Sequence, residues 1–106
     1  MKNPNNKTAV VFRKYKEGDI IALFPYEIDS GTCIMSYQHV GQHSGADYDH
    51  MIHCTKPAKQ KEYRDLYTEL VGIGYDLEII KRQNRHKYLA AKKQLIKLFR
   101  TVNNNR

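Results

Sequence analysis

The chain has 106 residues, enough for one domain that buries its own core. Its 41% hydrophobic and 27% charged residues are ordinary for a folded protein and exclude a disordered chain, and no run approaches the roughly 18 consecutive apolar residues of a membrane span. The net charge of +7 is unevenly placed: residues 1–80 hold nine Lys and Arg against eleven Asp and Glu, a balance of −2, whereas residues 81–106 hold nine Lys and Arg and no acid, a balance of +9.

Residues 1–7 are polar and Asn-rich, with no apolar core and no small-residue cleavage site behind them, so they read as a tail and not as a signal peptide. Without a secretion signal, Cys33 and Cys54 are expected as reduced thiols of a cytoplasmic protein. Thr8 to Lys16 is predicted as a strand, with the β-formers Val10, Val11 and Phe12 giving way to Arg13, Lys14 and Lys16. Glu17-Gly18-Asp19 is a turn, and Ile20 to Tyr26 a second strand stopped by Pro25, so residues 8–26 form a hairpin. A third strand runs from Thr32 to Val40, with Cys33, Met35, Tyr37 and His39 on one face and Ile34, Ser36, Gln38 and Val40 on the other. Residues 41–57, rich in Gly, His and Asp, read as loop.

From about Ala58 to Gly72, Tyr63, Leu66, Tyr67, Leu70 and Val71 recur at helical spacing, with Pro57 near the start and Gly74 just past the end. Tyr75 to Lys81 alternates as a fourth strand. The order βββαβ predicts an α+β domain over residues 8–82, a small mainly antiparallel sheet covered by one helix. Gln83 and Asn84 mark a boundary before a basic amphipathic helix in residues 83–106, with a frayed Asn103-Asn104-Asn105 end.

Several ordered blocks resemble a known family: Phe12-Arg13-Lys14, Gly18-Asp19-Ile20-Ile21-Ala22-Leu23-Phe24-Pro25, Ser36-Tyr37, His39-Val40-Gly41-Gln42-His43, Glu62-Tyr63 and Gly74-Tyr75-Asp76-Leu77. Together they resemble short proteins carried by bacteriophages, plasmids and other bacterial mobile elements, over roughly residues 10–82. The resemblance implies a mobile-element accessory protein and brings no activity with it. The basic helix after Arg82 is an addition to that family's pattern.

The densest polar cluster spans His39 to Cys54 and contains every histidine except His86. Imidazole, carboxylate and thiolate are ligands of zinc and related metals, so His39, His43 and Asp47 are a candidate polar site. The spacing is loose, with no HExxH and no paired CxxC, and the competing reading is a loop braced by hydrogen bonds; no metal or cofactor is assigned. Cys33 or Cys54 with His39 or His43 would be a nucleophile pair only if the fold joined them. Gly41 to Gly45 lacks the Lys-Ser/Thr of a phosphate loop, and Gly72-Ile73-Gly74 follows a helix and not a strand, so both read as turn glycines.

The charge asymmetry makes Lys81, Arg82, Arg85, Lys92, Lys93, Lys97 and Arg100 the leading binding candidates, for nucleic acid or an acidic protein surface. Beside them Tyr88, Leu95, Phe99 and Val102 form an apolar stripe that docks on the domain, pairs with a second copy, or binds a partner's groove or a membrane surface as a free amphipathic helix. The expectation is a non-enzymatic binding protein of a mobile element acting through the basic helix. The alternatives are a metal-dependent or His-assisted enzyme using His39, His43 and Asp47, and a homo-oligomeric interaction module.

Overall fold

The computed structural model describes residues 7–31, 33–38 and 42–104, with Gln42 and residues 99–104 described by backbone alone. The first two strands, β1 (Thr8–Tyr15) and β2 (Ile20–Ser30), pair antiparallel around a turn in which Gly18 takes φ 107°. β3 (Cys33–Gln38) follows antiparallel to β2. Pro25 does not end β2. Between the pairs Phe24–Met35 and Ile28–Ile34 the second strand advances four residues while β3 advances one. Proline has no N–H for the ladder and is tolerated at such a bulge. The bulge also changes the face that the strand presents: Phe24 packs on one side of the sheet, Tyr26 and Ile28 on the other.

Residues 42–57, expected as loop, hold three elements: β4 (Gln42–Asp47), α1 (Tyr48–Cys54) and β5 (Thr55–Pro57). β4 is an edge strand paired only with β3, and its polar composition suits an edge left toward solvent. Gly45 within it is required by close approach, since a Cβ there would sit 2.4 Å from the Asp29 carboxylate. Asp47 accepts a hydrogen bond from the His50 N–H at 3.1 Å and starts α1, of which only Met51 is buried.

Helix α2 (Gln60–Ile73) ends at Gly74, whose left-handed φ of 117° lets its N–H reach the Leu70 and Val71 carbonyls. The short β6 (Leu77–Ile79) pairs parallel to the start of β1, while β5 pairs antiparallel to the end of the same strand. The sheet runs β4-β3-β2-β1-β5, with β6 beside β5 on β1. α3 (Arg85–Asn104) follows, with Asn84 accepting from the Lys87 N–H at 3.1 Å.

The α+β class and the mainly antiparallel sheet are as the sequence predicts, but the sheet is covered on both faces. On one face Val10, Phe12, Ala22, Phe24 and Tyr37 pack under Leu66 and Leu70 of α2. Phe12 stacks on Tyr63 at 4.4 Å and Phe24 on Tyr75 at 5.1 Å between ring centroids. Of the α2 stripe, Val71 alone is left exposed. On the other face Val11, Ile21, Leu23 and Ile34 pack under Met51 of α1 and Tyr88 of α3. The last helix therefore docks on the sheet through its first turns, against β2. From Lys93 to Leu98 every side chain is exposed.

Candidate anion-binding cleft

A half-open cleft of about 780 Å³ lies where α1 meets the β6–α3 connection. Its basic lining comes from three parts of the chain: the cation Arg13 on β1, the imidazoles of His50 and His53 on α1, and the cations Lys81, Arg82 and Arg85 at the approach to α3. His50 and His53, three residues apart, share one side of their helix. Asp49 is the sole carboxylate of the lining, 3.6 Å from the Arg85 guanidinium with both groups largely exposed.

Alternation in β1 puts Arg13 on the same face as Val11, where it is 8% exposed. A buried guanidinium must satisfy its donors. Arg13 Nε donates to Thr55 Oγ1 at 2.9 Å, and Nη2 donates to the carbonyls of Thr55 at 2.7 Å and Ile52 at 3.1 Å. Thr55 Oγ1 in turn donates to the Met51 carbonyl at 2.5 Å. The last carbonyls of α1 are thus closed by a cation, the favourable charge for a helix C-terminus. Burial lowers the Arg13 pKa from its ordinary value, opposed in part by the nearby Tyr48.

The other wall is fixed by hydrogen bonds from the backbone before α3. The Gln83 N–H donates to the Tyr48 hydroxyl at 2.7 Å, and the Asn84 N–H to the Tyr26 hydroxyl at 2.7 Å. Gln83 Nε2 donates to the Pro25 carbonyl at 2.9 Å, and the Ile80 N–H to the Val10 carbonyl at 2.9 Å. The bulge in β2 presents the Pro25 carbonyl and Tyr26 to this connection. Lys81 and Arg82 therefore extend from a backbone held at both ends, and their positions are set before any ligand arrives.

Of the sequence-derived binding residues, Lys81, Arg82 and Arg85 are brought together in the cleft. Lys92 lies beside Tyr88, its Nζ 5.9 Å from the ring, while Lys93 and Lys97 are exposed farther along α3. The Arg100, Phe99 and Val102 side chains lie outside the described residues. Tyr88 is buried in its own domain, so it is not a surface residue of a pairing stripe. Leu95 and Ile96 are 36% and 47% exposed.

His39 also lies outside the described residues. His43 and Asp47 are at opposite ends of β4, about 13 Å apart along an extended chain. They have separate partners: His43 Nε2 is 2.9 Å from the Tyr75 hydroxyl, and Asp47 caps α1. Among the described residues no three His, Cys, Asp or Glu side chains gather as a metal site. The Cys54 sulfur is 3.4 Å from His50 Nε2, one turn away on α1. Sequence reasoning missed Arg13, His50 and His53 as cleft residues. Asp47 before Tyr48 is the cap signal that would have revealed α1 and put the two imidazoles on one side.

A second cleft of about 930 Å³ lies near Tyr75 and the start of β1. There Glu27, Asp76 and Glu78 face Lys7, Lys87 and His43, a mixed lining with no net preference for an anion. Burial, reinforced by the charge of Glu27, raises the Tyr75 phenol above its ordinary value.

No family model, no curated protein and no solved structure matches this chain. Among the described residues no helix is long and apolar enough to cross a membrane.

Proposed function

We propose that this protein is a non-enzymatic binding protein whose partner is a nucleic acid, contacted through the cleft bases and the exposed length of α3. The observation that carries the reading is the placement of the basic residues. Lys81, Arg82 and Arg85 converge on one cleft, Lys93 and Lys97 lie exposed farther along α3, and residues 81–106 contain nine Lys and Arg and no Asp or Glu. Nucleic acid is favoured over an acidic protein surface because phosphates recur at fixed intervals along a strand, and a row of cations on a helix meets several at once. The mobile-element setting rests on the resemblance of residues 10–82 alone.

The test is fluorescence anisotropy with short single- and double-stranded DNA and RNA at two salt concentrations. Binding should weaken steeply with salt, each neutralised phosphate adding about 0.7 to 0.9 to the logarithmic slope. Lys93→Gln with Lys97→Gln should lower both affinity and slope. Salt-independent binding, or binding unchanged when residues 81–106 lose their charge, would refute the reading.

A further inference from the structure

We propose that the cleft is a binding site for a phosphate monoester group, of the kind found at the end of a nucleic-acid strand. The inference rests on the nucleic-acid reading for its source of phosphate, but its chemistry is independent of it.

The two basic surfaces differ in shape. Bases on the outside of α3 can meet a phosphate from one side only, which suits the internal diesters of a strand passing over them. The cleft instead gathers basic side chains from three chain segments around one volume: Lys81, Arg82 and Arg85 on one wall, the imidazole donors of His50 and His53 on the other, with the Arg13 guanidinium at the lining. A monoester carries close to two charges and three terminal oxygens, whereas an internal diester offers one charge and two. Charges that converge are best used by the ligand with more charge and more acceptors in one place.

The walls are also built to hold this shape without a ligand. The Arg13 guanidinium is anchored by Thr55 and Ile52, and the Lys81–Gln83 connection is anchored by the Tyr48 hydroxyl and the Pro25 carbonyl. Tyr48 accepts from Gln83 and so retains its own proton, at the cleft lining, to donate to an incoming oxygen. The sole carboxylate, Asp49, is 3.6 Å from Arg85 at an exposed position, where an anion can displace it by a side-chain rotation. The neighbouring mixed cleft, with three carboxylates, has none of this character.

The test uses the full chain and one 12-nucleotide sequence carrying a 5′-phosphate, a 3′-phosphate or hydroxyls at both ends, with inorganic phosphate as a separate probe. A terminal phosphate should tighten binding roughly tenfold, the effect of one or two charge-assisted hydrogen bonds. Arg82→Gln with Arg85→Gln, both at exposed positions, should weaken all three strands and make them bind alike, abolishing the preference for a terminal phosphate. Lys93→Gln with Lys97→Gln should weaken all three strands alike and leave the preference intact, and Asp49→Asn should increase it. Inorganic phosphate should move the His50 and His53 imidazole resonances in the wild type and not in the double arginine variant.

If no strand binds but inorganic phosphate moves those resonances, the nucleic-acid reading fails and the cleft stands as a site for a small phosphate ester. If strands bind without regard to their ends and inorganic phosphate moves neither imidazole, the nucleic-acid reading survives and the monoester site is overturned.

Discussion

The two faces of the sheet are held by different means. Under α2 the contacts are mainly apolar and aromatic: Leu66 and Leu70 close over Phe12, Phe24 and Tyr37, with two stacked ring pairs, and the polar ties are Tyr37 donating to Glu69 and Lys14 to Glu62. Under α1 and α3 the cover is mixed: Met51 and Tyr88, with the partly buried Tyr48 and Ile80, pack on Val11, Ile21, Leu23 and Ile34, and directed hydrogen bonds donated by Arg13 and Gln83 and accepted by Tyr26 and Tyr48 tie the connections in place. An apolar face tolerates small displacements and leaves little open space. A face held at points keeps its polar groups in fixed positions with a cleft between them, and here that cleft carries the candidate site.

The contrast predicts a ranking of variants. Leu70→Ala, at a fully buried position, should cost about 3–4 kcal/mol in chemical denaturation, and the loss should be global. Arg13→Met removes the donors to the Thr55 and Ile52 carbonyls and should cost about 2–3 kcal/mol, with amide exchange rising first in α1 and β5. A larger cost for Arg13→Met than for Leu70→Ala would invert the comparison. Tyr48→Phe deletes one acceptor and should cost about 1 kcal/mol, felt as faster exchange from Gln83 into the first turn of α3.

Proton titrations give smaller effects, one phenol to each face. Burial raises the pKa of Tyr15, on the α1–α3 side, and of Tyr75, on the α2 side. A raised folded-state value favours the neutral phenol, so the associated stability is complete below the ordinary phenol pKa of about 10 and is lost as pH rises through the folded-state values. Absorbance at the phenolate band should show tyrosines that lag the rest, and Tyr15→Phe and Tyr75→Phe should each remove one of them. The least effect belongs to Glu62, which accepts from Lys14 Nζ at 2.5 Å and from the Lys59 N–H at 2.8 Å. The Lys14 bond, then the Lys59 N–H, lowers its pKa. A depressed value contributes stability above the ordinary glutamate range that is lost as pH falls through the folded-state value, and Glu62→Gln should flatten acid unfolding in that window.

What was legible in the sequence follows the same division. The hairpin and α2 declare themselves because Val10, Phe12, Leu66 and Leu70 recur at the spacing of their elements and are buried for that reason. β4, α1 and β5 have no such period: an edge strand of Gln, His, Ser, Gly, Ala and Asp, then a seven-residue helix with one buried side chain. α1 and β5 are tied to β1 by Arg13 and Thr55, 42 residues apart, a relation that no local window contains. The cleft was half legible. Charge counting found Lys81, Arg82 and Arg85, while Arg13, His50 and His53 reach it only through the fold. Pro25 misled for a physical reason, since a proline that ends a regular strand can equally sit in a bulge and let the strand resume.

That bulge has a kinetic consequence. Two hydrogen bonds that tie β2 to the start of α3, Gln83 to the Pro25 carbonyl and the Asn84 N–H to the Tyr26 hydroxyl, each join residues 58 apart in the chain. Closing so large a loop is entropically costly until the hairpin that offers these acceptors has formed. The basic helix should therefore arrive after the folding barrier, and weakening its dock should leave the refolding rate nearly unchanged while speeding unfolding. A chevron plot of Tyr26→Phe with this shape would make α3 the last piece to lock and the first to let go, free to swing at its cationic end while the sheet beneath stays folded.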